Sequence, residues 1–137
     1  MSTIEILQDK ISTIEKYLTL LTAFNSYSEN EIKKNTTILG AVERYAYLAV
    51  QATIDLAEAY ISYKNLRKPA SMSDSFNILQ ENKIIDQSIA EEMIKMVGFR
   101  NVLAHDYEIV DFQILYSILT EKNNDIKIFI KIIEEKI

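Results

Sequence analysis

Apolar residues Ile4, Leu7, Ile11, Ile14, Leu18 and Leu21 recur at alternating steps of three and four along the start of the chain. An α-helix turns about 100° per residue, so these steps stack six side chains into one stripe and predict an amphipathic helix over roughly 3–23. After the polar stretch 25–35, Leu39, Val42, Ala46, Ala49, Thr53, Leu56, Tyr60 and Tyr63 keep the same rhythm. They predict one long helix over roughly 29–64, and Ala46, Ala49 and Ala52 in its middle let a neighbouring helix approach closely, which suggests a central position. The stretch 64–71 carries Arg67, Lys68 and Pro69 and reads as the main loop. Ser71 or Ser73 caps a short third helix containing Phe76 and Leu79. Asp86 is the N-cap of a fourth helix over roughly 87–104, with Glu91 and Glu92 early and Lys95 later, the order the helix dipole favours. Asp111 caps a fifth helix bearing Leu115, Ile118 and Leu119, and Asn123-Asn124 before Asp125 predicts a break ahead of a terminal helix with Ile126, Phe129 and Ile133.

Composition agrees with an all-α protein. The chain has 137 residues, one domain's worth, of which 48% are hydrophobic and 26% charged. Two Gly and one Pro are too few for the many tight turns of a β-sandwich or barrel. The expected architecture is a single domain over 1–137, an up-and-down bundle of four to six helices. The lack of Cys removes disulfides, thiolate zinc sites and cysteine nucleophiles, and one His removes any site built from several histidines. A net charge of −5 gives no global attraction to phosphate backbones or anionic membranes, so any nucleic-acid role must rest on a local patch. No apolar run approaches 18 residues and the first ten residues carry two acids, so neither a transmembrane helix nor a signal peptide is expected, and the protein is expected in the cytoplasm.

One position breaks the pattern. With Ile89 at zero, Met93, Met96, Val97, Leu103 and Ala104 fall between about −40° and 80° on the fourth helix, and Arg100 falls near 20°, inside that apolar arc. An unpaired guanidinium in a core costs several kcal/mol or more, so Arg100 needs a carboxylate partner, an interface or a cleft. Asn101 lies near 120° and His105 near 160°, so Arg100 and His105 point about 140° apart while the helix continues. They address one phosphate only if the helix ends or bends before His105, or if two subunits bring copies together.

The stretch Met96-Val97-Gly98-Phe99-Arg100-Asn101-Val102-Leu103-Ala104-His105-Asp106-Tyr107 closely resembles the signature of the HepT-like family of the HEPN superfamily, whose toxins are ribonucleases. Arg100, His105 and Tyr107 match its motif of Arg, four residues, His, one residue and Tyr, and Asn101 follows the Arg as the extended pattern asks. Glu43-Arg44 and Asp55 resemble polar positions of the family's central helix, and 75–85 resembles its short middle helix. The resemblance covers about 38–130. It implies a HEPN-like fold, a homodimer with two motif segments around one cleft, and metal-independent cleavage of RNA by attack of a 2′-hydroxyl on the adjacent phosphorus, with no cofactor. It also implies a toxin–antitoxin pair in which a nucleotidyltransferase antitoxin of the MntA kind silences the toxin by placing AMP on Tyr107.

The residue types suit that chemistry. An imidazole titrates near pH 6.5 and can move protons, so His105 is a candidate acid or base. A guanidinium keeps its charge and offers a two-pronged fork to phosphate, which suits Arg100. Asn101, Asp55 and Arg44 are supporting candidates. Each also has a plainer reading: His105 as a C-cap, Arg100 as a structural partner of Asp55 or Glu43, Tyr107 as a packing tyrosine. Tyr45, Tyr47, Tyr60 and Tyr63 read mostly as packing, and Lys64, Arg67 and Lys68 as a solvated loop rather than an RNA contact. No grouping of carboxylates resembles a metal site. The alternative function is a non-catalytic helical module that docks a nucleotidyltransferase or a nucleotide, and a third is a purely structural dimerisation bundle.

Overall fold

The computed structural model describes residues 3–105 and 111–137, and these contain seven α-helices and no strand. They are α1 (Thr3–Thr22), α2 (Glu29–Lys34), α3 (Thr36–Tyr63), α4 (Met72–Glu81), α5 (Gln87–Ala104), α6 (Phe112–Ser117) and α7 (Asn123–Glu135). The five helices of ten residues or more form the expected up-and-down bundle, while α2 and α6 are six-residue pieces. The predicted stripe of α1 is its buried face: Leu7, Ile11, Ile14, Leu18 and Leu21 are all enclosed, and only Ile4, at the open end, is exposed. This stripe lies along α3, whose Ala46, Ala49 and Ala52 are buried.

Two apolar clusters hold the bundle. The larger joins α1, α3, α4, α7 and the first half of α5, with Phe76 and Phe129 edge to face at 5.6 Å between centroids. The smaller gathers Leu21, Ile32, Val42, Ala46, Phe99, Leu115, Ile118 and Leu119 at the other end. It forms the backing for the C-terminal turns of α5.

Two expectations are corrected. The long helix predicted over 29–64 is split at Asn35, whose backbone is extended (φ −101°, ψ 104°) and whose side-chain Oδ1 accepts from the N–H groups of Thr37 and Ile38 at 3.1 Å each. A short amide side chain offers the backbone a competing partner and restarts the helix. The preceding α2 has its own capping box: Glu31 N–H donates to Ser28 Oγ, and Ser28 N–H donates to Glu31 Oε1, both at 3.1 Å. The second correction concerns the break predicted at Asn123-Asn124. The chain instead winds from α6 into α7 through a π turn over Ile118–Lys122. Asn123 is buried, and its Nδ2 donates to the carbonyls of Ile118 and Leu119 at 2.9 Å each. A wider turn shifts the backbone register, and the amide serves carbonyls that water cannot reach.

Other caps follow expectation. Ser71 rather than Ser73 caps α4, Asp86 caps α5 by accepting from Ile89 N–H, and Asp111 caps α6. The basic loop is clamped, because Arg67 bonds both carboxylates of its neighbours, Asp74 at 2.8 and 3.1 Å and Glu81 at 2.8 and 3.1 Å. That consumes its fork and holds the Asp74 carboxyl down to about 2. Among the described residues no helix is long and apolar enough to cross a membrane.

Candidate active site

The stretch from Arg100 to His105 closes α5. The helix ends at Ala104, and His105 is its C-cap, exposed and extended (φ −109°, ψ 96°), with its N–H donating to the carbonyl of Val102 at 3.2 Å. The helix thus ends before His105, which is one of the conditions under which Arg100 and His105 can address one phosphate. His105 therefore projects from the helix end while Arg100 remains one turn inside it.

Arg100 is half-buried and is held by neutral groups. Its Nε donates to Gln51 Oε1 at 2.6 Å, and an Nη donates to Asn101 Oδ1 at 3.1 Å. Gln51 Nε2 in turn donates to Asp55 Oδ1 at 2.9 Å. Asp55 thus reaches Arg100 through Gln51, not by the direct partnership with Asp55 that is one of the plainer readings of Arg100. Above the ring of Tyr47 sit two guanidinium carbons, those of Arg100 and Arg44, each 5.7 Å from the ring centroid. Tyr47, taken from sequence as a packing residue, is a cation platform that carries both arginines.

The residues that meet Arg100 come from one face of α3. At 100° per residue, Gly40, Arg44, Tyr47, Gln51 and Asp55 fall within about 80° of one another, roughly opposite the apolar stripe that faces α1. That 4-3-4-4 spacing is the signal by which Gln51 and Tyr47 are findable in the sequence. The face continues to Glu58, whose carboxyl is raised by burial and then by neighbouring Asp55, with Lys10 opposing. Where α3 passes the end of α5, a cleft of ≈ 410 Å³ opens between Gly40, Glu43, Arg44 and Tyr47 on one side and Leu103 and Ala104 on the other. The site residues read from sequence are therefore gathered as follows: Arg100, Asn101 and Asp55 in one chain of hydrogen bonds, Arg44 joined to it through Tyr47, and His105 beside the cleft at the end of α5. Tyr107 lies outside the described residues.

A second cavity of ≈ 460 Å³ runs along the outer side of α5. Its floor is apolar, from Met96, Phe99, Val102, Ile114 and Ile118, and Gly98 forms an open part of its wall, with nothing within 4 Å of where a Cβ would stand. Among the described residues no group of His, Asp or Glu side chains is arranged to hold a metal ion.

These features define a class: an all-helical protein with an Arg-x4-His segment ending one helix and a polar stripe on the long neighbouring helix set against it. The model of the ribonuclease HepT-like family matches residues 8–133, and the chain belongs to that family. It is 28% identical over 131 residues to the mRNA nuclease HepT of Shewanella oneidensis, covering 95% of this chain and 97% of that protein. It is 26% identical over 106 residues to the tRNA nuclease HepT of Aphanizomenon flos-aquae, covering 77% and 72%. In three dimensions it resembles the tri-AMPylated Shewanella oneidensis HEPN toxin solved in complex with its MNT antitoxin, with a TM-score of 0.89 and 27% identity over 98% of this chain and 99% of that one.

Proposed function

We propose that this protein is the toxin of a toxin–antitoxin pair, an RNA endonuclease that cuts without a metal and is silenced by a nucleotidyltransferase antitoxin. The observation that carries this reading is the setting of Arg100: a half-buried guanidinium held by Gln51 and Asn101, with no carboxylate paired to it among the described residues, beside a histidine at the helix end. A partly buried cation without a counter-charge among the described residues suits an anion, and phosphate is the anion its fork matches. The nuclease names of the relatives and the antitoxin bound to the structural neighbour point the same way.

In this reading Arg100 holds the scissile phosphate and stabilises the charge that builds on its oxygens as the 2′-hydroxyl attacks. His105 transfers the proton, at the 2′-hydroxyl or at the leaving 5′-oxygen. Asn101 and Asp55 support Arg100, and Arg44 adds a cation at the cleft. The 137 residues work as one domain in the cytoplasm, and two copies pair across α5, a reading supported by the open apolar groove beside Gly98. AMP on Tyr107 brings a phosphodiester charge that Arg100 can hold, so the adduct fills the site and excludes RNA.

The test is cleavage of RNA by the purified protein beside His105→Ala and Arg100→Ala. Both substitutions are expected to abolish cleavage with helical circular dichroism intact. Full activity in His105→Ala overturns the catalytic reading and leaves a docking module. Coexpression with the antitoxin and ATP is expected to add AMP mass to the peptide holding Tyr107, and Tyr107→Phe is expected to cleave RNA yet escape silencing. Neutralisation of the wild type with no added mass removes the modification from the account.

A further inference from the structure

We infer that Gln51 is a positioning residue, and that its neutrality is what leaves Arg100 free to act on phosphate. The inference rests on the reading of Arg100 as the phosphate-holding residue and adds to it a group on a different helix, 49 positions away.

The direction of the Asp55–Gln51–Arg100 chain is settled at both ends. Arginine has only donors and a carboxylate only acceptors, so the amide between them must turn Nε2 to Asp55 and Oε1 to Arg100. Asp55 thereby prevents the amide flip that would set an N–H against the guanidinium. The 2.6 Å bond to Nε is short for an N–H donor and fixes the plane of the fork at its inner edge. Asn101 takes one outer N–H, and among the described residues no other side chain bonds the remaining outer N–H groups.

A carboxylate at position 51 would hold Nε equally well. It would also cancel the charge: an anion in contact with Arg100 competes with phosphate for the same cation. Asp55, the acid in the chain of bonds, stands behind Gln51 and accepts from its amide, with no ion pair to Arg100 among the described residues. The site thus separates two jobs that an Arg–carboxylate pair would merge, aiming the guanidinium and neutralising it. A merely structural glutamine has no such requirement, because Glu in its place gains an ion pair with Arg100 once Asp55 is replaced by a neutral amide.

The experiment compares Gln51→Glu, Gln51→Glu/Asp55→Asn, Gln51→Met and Gln87→Glu in the full chain. Gln87 is exposed at the far end of α5, so its substitution controls for one added negative charge. Two readouts are taken: kcat and KM on an RNA oligonucleotide, and the Kd of the same oligonucleotide with a 2′-deoxy group at the cleaved position, which cannot react. Gln51→Glu is expected to weaken binding of the 2′-deoxy probe on the order of tenfold. Because its second oxygen faces the Asp55 carboxylate, the double variant Gln51→Glu/Asp55→Asn, which restores a donor to that oxygen, is expected to weaken binding as much while melting no lower than wild type. Gln51→Met, which leaves the charge but releases the aim, is expected to lower kcat about 10- to 100-fold with a smaller change in KM. Gln87→Glu is expected to stay within about threefold of wild type in both readouts. If wild type cleaves, His105→Ala does not, and the Gln51 variants match Gln87→Glu, this inference is wrong and the reading of the site stands. If wild type itself fails to cleave RNA, or His105→Ala cleaves as well, the reading beneath it is wrong.

Discussion

Asn123→Leu removes the side chain that bonds the carbonyls of Ile118 and Leu119 in the π turn between α6 and α7. The side chains have similar volume, so the change deletes two hydrogen bonds and little packing. Each bond is 2.9 Å long, to the carbonyls of Ile118 and Leu119, in a residue only 4% exposed. A buried polar group left without its partner costs about 1–3 kcal/mol, so two carbonyls that retain some backbone bonding put the loss at about 2–4 kcal/mol. Burying the extra apolar surface of Leu returns about 1 kcal/mol, for a net loss of about 2 kcal/mol. For a chain of this length that lowers the melting temperature by about 6–8 °C. Circular dichroism at one fixed protein concentration measures it, since pairing of copies would make the midpoint concentration-dependent. A fall of less than about 2 °C, near 0.5 kcal/mol, would mean that the turn satisfies its own carbonyls and that the amide is incidental.

Arg100→Lys keeps the charge but loses the fork, and one ammonium nitrogen cannot reproduce the separate contacts that Nε and an Nη make to Gln51 and Asn101 while also gripping a phosphate from two sides; cleavage should fall about 10²-fold, and activity near wild type would show that charge alone suffices. Chelation with EDTA should leave cleavage unchanged, and a complete loss restored by magnesium would contradict the proposed chemistry. The Asp74 carboxyl titrates at about 2 beside Arg67 against an ordinary 3.8. The folded value is the lower one, so this pair contributes stability in full above the ordinary value and loses it as pH falls from there towards 2. Arg67→Ala should return Asp74 to the ordinary range by carboxyl NMR, and a titration that stays low would assign the shift to the Ala70 N–H instead.

Most of the helix layout was legible because its signals are local. The three-and-four spacing of α1 and α3 follows from the helical turn, and the caps at Ser71, Asp86 and Asp111 are one-residue chemistry next to the helices they start. The misreadings come from the same residue type used in two other ways. Asn35 stops a helix that the apolar rhythm would have run through, and Asn123, read as a stop, keeps a helix continuous by bonding backward into it. In both cases the side chain's partner, not its identity, decides the outcome. At the site, Arg100 stood out because a guanidinium in an apolar arc is costly, and His105 because the segment resembles the family signature, whereas Gln51 is unremarkable on its own helix. Its role exists only in the pairing of α3 with α5, although the polar stripe from Gly40 to Asp55 announces that this face of α3 meets something other than the core.

The proposed chemistry requires Arg100 and His105 to promote attack by the RNA's own 2′-hydroxyl. Mass spectrometry of the products from a single RNA oligonucleotide, cut in EDTA by wild-type protein, tests it most directly. The expected fragments end in a 2′,3′-cyclic phosphate or its opened 3′-phosphate, are matched by fragments beginning with a 5′-hydroxyl, and are absent where the 2′-hydroxyl is replaced by hydrogen. Fragments with 3′-hydroxyl and 5′-phosphate ends, or cleavage that survives the 2′-deoxy substitution, would contradict it.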